Sequence, residues 1–333
     1  MARINRLDWL SSFVAVTEQG GFASAARVLH RSQSRVSSHV AELERALGRQ
    51  LFDRQHRPAT LTVSGSEFLV RARRILAEVD AAIADVELTS GVVQGAVIVG
   101  THPSIAAVLM PDLIRKMRVA FPEVSIRLTE QSTARLASAL VDGTVDIAVR
   151  TTSQANEPAD LESYPLWSEN FVAVFRTDHP LAAHSGPLEP QELLNHDLVA
   201  VSSPGRMLEP ELAILGYRWG IDLHLAWSTE QPQVVVNFAK AGLGVGLLNV
   251  LALTASEMTG VTYRPVSQDG SARTVSVSWD SRRNHPLATR AFFETLLTLG
   301  VPRGAVQIPR KPLPSWATTM VAHQTPEGPN SQR

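Results

Sequence analysis

The chain of 333 residues contains no cysteine, which excludes disulfides and thiolate-held metals. It has no run of 18 apolar residues, so no membrane span is read and no membrane partner is expected. The opening MARINRLDWLSSFVAV places charges where an export signal needs an unbroken apolar stretch, and the cytoplasm is the expectation. There is no G-x-S-x-G, H-E-x-x-H or Walker A pattern, so no hydrolase, zinc-protease or nucleotide-binding signature is present. The ten histidines are scattered. Neither His179 nor His196 sits at a ligand spacing, and no metal, cofactor or catalytic residue is expected. Asp146, ending a loop before a strand, reads as a turn residue.

What is present is uneven. Residues 1–75 carry 12 Arg and no Lys against 6 Asp and Glu, a surplus of six positive charges; the rest, with 19 basic against 26 acidic residues, is negative by seven. A basic module on an acidic body points to a polyanion at one end. The length allows two or three domains.

The periodicity of the basic module is helical. Leu10, Phe13 and Val14 give one face of a helix over 7–19, stopped by Gly20 and Gly21. Phe22, Ala25, Ala26 and Leu29 give a short second helix. After a polar turn, Val36, Val40, Leu43 and Leu47 recur at helical spacing, with Ser32 as N-cap. Next, RQLFDRQHRPATLTVSG reads as a two-stranded wing with Arg54, His56 and Arg57 at its tip. Ser64 and Glu67 form a capping-box pattern that opens a helix to about 88. There Phe68, Ala72, Ile75, Val79, Ala82 and Val86 make a heptad seam, which calls for a partner helix.

Two helices joined so tightly, at about 22–41, make a helix-turn-helix whose second helix fits the major groove of double-stranded DNA. Ser32, Gln33, Ser34, Arg35, Ser37, Ser38 and His39 are expected on its outward N-terminal half. Gln suits adenine, Arg suits guanine, and hydroxyls suit bases or phosphates. Arg57 is expected on phosphate, and Arg54 is a further DNA-binding candidate.

From Gly95 strands and helices alternate, implying a mainly parallel sheet. Strand-like runs fall at 96–100, 125–129, 146–149, 171–175, 198–201, 223–227, 244–248 and 274–279. The glycines of AGLGVGLLN follow a helix and precede a strand, the reverse of a dinucleotide loop. They read as a helix stop and a close backbone approach. Two α/β lobes joined by two crossovers leave a cleft at the strand carboxyl ends. Strand-to-helix corners there carry Thr101, His102 and Ser104; Gln131, Ser132 and Thr133; Ser202 and Ser203; and Thr229. With Arg150 they are the candidate effector-binding residues. Helix starts and hydroxyls suit a small anion such as a carboxylate. The domain reading is 1–63, a linker helix at 64–90, and 95–302, with lobe I at 95–166 and 267–302 and lobe II at 167–266. The Pro-rich segment 303–333 reads as a disordered tail. Two function classes stay open on these grounds. One is a DNA-binding regulator controlled by a metabolite; the other is a cytoplasmic binding or enzymatic α/β protein with an incidental helical hairpin.

Residues 7–76 resemble the N-terminal domain of LysR-type transcriptional regulators. The matching positions are Phe13, Gly21, Phe22, Ala25, Ala26, Leu29, Ser32, Gln33, Val36, Ser37, Leu43, Glu44, Leu47, Gly48, Leu51, Phe52, Arg54, Leu61, Thr62 and Gly65. VSIRLTEQ, LVDGTVDIAV and AGLGVGLLN fall where that family's effector domain has them. The resemblance spans about 5–300. Ser34 and Asn249 stand where the family commonly has proline. It implies a winged helix-turn-helix, a linker helix and two lobes like those of periplasmic binding proteins. It also implies a small-molecule effector, a homodimer or dimer of dimers, and RNA polymerase as a further partner of such a regulator.

Overall fold

The computed structural model describes residues 6–53, 59–87, 93–152, 157–202, 208–266 and 272–317. Helices α1 (Leu7–Glu18), α2 (Phe22–Val28) and α3 (Gln33–Leu47) pack around Leu10, Phe13, Ala25, Ala26, Val36, Val40 and Leu43, all buried. The two alanines let α2 approach closely, as the sequence suggests. Arg31 N–H donates to Ala26 O at 2.9 Å across a left-handed His30 at φ 51°. This closes α2 with a Schellman-type turn made by a histidine. Ser32 Oγ accepts the Arg35 N–H at 3.3 Å and caps α3.

At the far end of α3, Glu44 Oε1 accepts the N–H groups of Leu51 and Phe52 at 2.8 and 3.1 Å. That fastens the helix to the antiparallel wing strands β1 (Phe52–Asp53) and β2 (Thr60–Leu61). The wing tip, with Arg54 and Arg57, lies outside the described residues.

The linker helix α4 (Val63–Glu87) starts one residue before the expected cap. Thr62 Oγ1 accepts the Gly65 N–H at 3.0 Å, so Thr62 rather than Ser64 is its cap. Gly65 is needed for space: a Cβ there would lie 2.1 Å from Leu51 O. The first seam positions serve the module itself. Phe68 stacks on Phe13 with centroids 5.6 Å apart, and Ala72 is fully buried. From Ile75 onward the apolar stripe opens to solvent, with Ile75, Ala82 and Ile83 exposed. The other side of α4 rests on the α/β domain. Arg74 donates to Val141 O at 2.6 Å and faces Asp280 at 3.6 Å, while Asn284 donates to Glu78 at 2.5 Å.

The α/β domain runs β3 (Gly95–Thr101), α5 (Pro103–Ala120), β4 (Val124–Glu130), α6 (Thr133–Asp142), β5 (Ile147–Thr152) and β6 (Leu161–Arg176). It continues with β7 (Leu198–Val201), α7 (Pro210–Trp219), β8 (Leu225–Thr229), α8 (Pro232–Lys240), β9 (Val245–Asn249) and α9 (Val250–Thr254). The last elements are β10 (Val261–Pro265), β11 (Ala272–Asp280), α10 (Leu287–Leu297) and β12 (Val306–Gln307). Sheet order is β4-β3-β5-β11-β6-β9-β7-β8, with β10 and β12 also on β6. The flanks are parallel, as expected, but β11 is antiparallel to β5 and β6, and β6 to β9. The sheet is therefore mixed. Strand β6 serves both lobes: it pairs with β11 as far as Asn170↔Ala272, then with β9 from Phe171↔Asn249. Beyond that point its side chains alternate. Phe171, Ala173 and Phe175 enter one core of lobe II, and Val172 and Val174 enter the other, as a strand buried on both faces requires.

The expected disorder from 303 does not hold as far as Ala317. Val306 and Gln307 pair with β6, and Trp316 sits among Trp279, His285 and Phe293 with centroids at 5.2, 4.5 and 4.8 Å. One half-buried indole packed on the core, with the short β12 pairing, outweighs a Pro-rich, aperiodic context. Residues 318–333 lie outside the described residues.

Replacing Gly65 with Ala forces the start of α4 away from Leu51. The expected cost is on the order of 1–3 kcal/mol in the DNA-end module, the range of an overpacked site. Urea unfolding followed by Trp9 fluorescence checks it, and an unchanged midpoint would refute the close-approach role.

Candidate nucleic-acid interface and interlobe cleft

The apolar stripe of α3 is buried against α1 and α2, which turns a polar row outward. Ser32, Gln33, Ser34, Arg35 and Ser38 are exposed and Ser37 is half-buried. Ser32 and Ser34 hydroxyls lie 3.0 Å apart at the helix start. His39 is a correction. It is 7% exposed, and its Nδ1 lies 2.8 Å from the Oγ of the fully buried Ser12. Position 39 falls one residue before Val40 and three after Val36, which turns it toward α1. Burial, and then the Arg31 charge, hold its pKa below the ordinary value. Arg31 is itself paired with Asp8 at 2.8 Å. His39 thus pins α3 to α1 and has no place on the outer face.

In lobe I two strand-to-helix corners and the end of β5 meet at His102, the residue before α5. Its Nδ1 lies 3.1 Å from Gln131 O, and its Nε2 faces Thr133 Oγ1 at 3.3 Å and the Thr151 N–H at 3.4 Å. Thr133 and Thr151 hydroxyls are 2.8 Å apart. A carbonyl at Nδ1 and an N–H at Nε2 assign the proton to Nδ1. Burial, then the charges of Arg273 and Arg150, push the pKa down to about 3, so the ring is neutral at pH 7. Thr101 and Ser104 are buried beside it, and Thr101 Oγ1 has no partner among the described residues. Ser132 is half-buried, and its carbonyl accepts the Leu136 N–H at 2.9 Å.

Arg150 is not solvated at the strand end. It is fully buried, with a bidentate pairing to the Glu157 carboxylate, while its Nε has no partner among the described residues. In lobe II Ser202 is buried, its hydroxyl has no partner among the described residues, and its N–H donates to Thr229 O at 2.9 Å. Thr229 Oγ1 accepts the Gln231 N–H at 3.2 Å, an ordinary turn contact. Ser203 lies outside the described residues. The hydrogen bonds thus gather His102, Gln131 and Thr133 into one cluster, and join Ser202 to Thr229 separately.

Sequence reasoning missed Arg273. From β11 its Nε donates to Glu169 of β6 at 2.8 Å, and its Nη1 reaches Glu211 of α7 at 3.2 Å. Glu169 has no exposure and also accepts the Leu251 N–H at 3.2 Å. The available signal was two opposite charges inside strand-like runs, SENFVAVF and ARTVSVSW. Gly244 and Gly246 fit the close-approach reading, since Cβ atoms there would lie 2.4 Å from Asp197 O and 2.9 Å from Val235 Cγ1. Asn249 accepts the Ala252 N–H at 3.0 Å and caps α9. Among the described residues no three His, Asp or Glu converge as a metal site, and no helix is long and apolar enough to cross a membrane.

Comparison with known proteins follows this geometry. Residues 7–66 match the family described as "Bacterial regulatory helix-turn-helix protein, lysR family", and residues 90–300 match "LysR substrate binding domain". A "Probable RuBisCO transcriptional regulator" from Cyanidioschyzon merolae is 31% identical over 251 residues, covering 74% of this chain and 82% of its own. A full-length OxyR variant from Pseudomonas aeruginosa superposes with TM-score 0.73 at 24% identity, over 92% of this chain and 99% of its own. Full-length CbnR, solved with its target DNA, gives TM-score 0.61 at 20% identity, over 87% and 98%.

The neutral His102 makes stability depend on pH. Its folded pKa of about 3 lies below the ordinary value of about 6.5. Stability is therefore full above about pH 6.5 and falls as pH drops and the unfolded chain takes up the proton. His285, depressed to about 4 chiefly by burial, acts in the same direction. In His102→Gln the unfolding temperature should decline less steeply between about pH 6.5 and 5. An unchanged slope would contradict the buried neutral ring.

Proposed function

The chain belongs to the LysR family of bacterial regulatory helix-turn-helix proteins, and from that premise we propose how its residues divide the work. It is a transcriptional regulator with a DNA-binding helix-turn-helix module and an effector-binding α/β domain. In our reading α3 enters the major groove by its N-terminal half. Gln33, Arg35 and Ser37 reach base edges, and Ser32, Ser34 and Ser38 position the helix on phosphates. Arg54 and Arg57 of the wing hold the flanking backbone. The observation that carries this is the exposed polar row on a helix whose apolar face is fully spent on α1 and α2.

The effector is a small carboxylate held between the lobes. Thr101, His102, Ser104, Gln131, Ser132, Thr133 and Arg150 come from lobe I, and Ser202, Ser203 and Thr229 from lobe II. The partnerless hydroxyls of Thr101 and Ser202 and the buried Arg150 guanidinium support this assignment. Arg150 is engaged by Glu157, so an incoming carboxylate takes that place, oxygen for oxygen, and frees Glu157 toward solvent. The open seam of α4 from Ile75 supports a homodimer, and pairing of effector domains then gives a dimer of dimers. The protein works in the cytoplasm as a regulator rather than an enzyme, with RNA polymerase as its further partner.

Gln33→Ala should weaken binding to the chain's own operator by about 1–3 kcal/mol, the worth of one good base contact. Fluorescence anisotropy at fixed salt measures it. Unchanged operator affinity in both Gln33→Ala and Ser37→Ala would remove these residues from the interface.

A further inference from the structure

A cavity of about 1320 Å³ lies beneath the segment that follows the family match, which ends at residue 300. It belongs to neither the α3 face nor the interlobe cleft. The last turns of α5, one side of α10, residues 310–313 and Ala317 line it, and it opens to solvent. The segment is fixed at both ends, by the β12 pairing with β6 and by Trp316 in its aromatic nest. Between those anchors an arch of residues 310–313 borders the space.

The lining is two-sided in chemistry. Its floor is apolar, formed by Phe121, Tyr164, Phe293, Leu297 and Leu313. Its cations come as two pairs on two elements, Arg115 and Lys116 from α5 and Arg310 and Lys311 from the arch. Arg115 contacts Asp112 at the surface, and Lys116 reaches the Thr298 carbonyl and hydroxyl at 3.5 and 3.2 Å. Neither Arg310 nor Lys311 has an ion pair among the described residues. The one acid in the lining is Glu294, whose Oε1 is buried and has no partner among the described residues. Burial raises its pKa, and it stands alone against four cations.

We propose that this cavity is a second small-molecule site and that it takes an amphipathic carboxylate, a single aliphatic chain ending in one anionic head. The chain lies on the Phe121–Phe293–Leu313 floor, where it fills apolar space that the protein leaves open. The head lies between the α5 and arch cations and joins them. A sugar phosphate or nucleotide is a poor fit, because the floor offers few groups to satisfy its hydroxyls and ring nitrogens. One wall of the site is built from residues beyond the family match.

The test is calorimetric titration of the full-length protein with dodecanoate, decanoate and octanoate below their micelle concentrations, beside dodecan-1-ol and dodecylammonium. The expected result is one saturable site per chain, with affinity rising about 3–4-fold per methylene, the equivalent of one buried CH₂. The alcohol and the amine should bind at least about ten-fold more weakly, since they lose the charge-assisted contacts. The double variant Arg310→Ser/Lys311→Ser, whose side chains are exposed, should lose about ten-fold in dodecanoate affinity with operator binding intact. Equal binding of acid, alcohol and amine would overturn the proposal. So would wild-type dodecanoate affinity in the double variant, which would move the ligand elsewhere. Hydrogen exchange showing 310–313 protected by protein concentration alone would assign the face to a second copy and overturn it as well.

Discussion

The ion pair between Arg273 and Glu169 is the constraint on which the α/β domain depends. Glu169 has no exposure, and an unpaired charge at such a depth costs several kcal/mol, on the order of 3–5 when one partner of a buried pair is lost. Its strands must therefore stay in register. β6 is the strand both lobes share, and β11 is its antiparallel neighbour at the point where pairing passes from one lobe to the other. The same two side chains reach further: Glu169 holds the start of α9, and Arg273 holds Glu211 of α7. Parts of both lobes are thus referred to one guanidinium.

The other end of β11 carries Asp280, buried and bound to Arg282, with Arg74 of the linker helix 3.6 Å away. One nine-residue strand spans from the charged cluster near His102 to the helix that carries the DNA-reading module. A ligand affects DNA binding only through a difference in its affinity for two arrangements. Glu157 and Glu211 make such a difference available. Both are partly exposed carboxylates, with side-chain exposures of 24% and 31%, on a fully buried Arg150 and a half-buried Arg273, so they can yield to a ligand where Glu169 cannot.

Local pattern made the N-terminal module legible. The 3.6-residue period, the Ala25-Ala26 contact and the Ser32 cap are all short-range, and each recurs in the structure. His39 was misread because it lies at the edge of the apolar stripe, and the partner that settles its direction, Ser12, is 27 residues away. The corners at Thr101, Gln131 and Ser202 were legible as strand-to-helix junctions. The partner of Arg273 was not, since 104 residues separate it from Glu169. The antiparallel centre escaped for the same reason. Alternating strands and helices imply parallel pairing locally, and only the return of β11 after lobe II reverses it. The ordered segment 303–317 rests on a two-residue strand pairing and one indole, which no periodicity announces.

A chain with an open linker seam presents two copies of α3 to DNA. Hydroxyl-radical footprinting of the full-length protein on the DNA upstream of its own reading frame tests this most directly. Two protected half-sites are expected, dyad-related, with centres about one helical turn of 10–10.5 base pairs apart or a multiple of it. Protection of a single half-site, or uniform protection without a dyad at salt that suppresses non-specific binding, would contradict it.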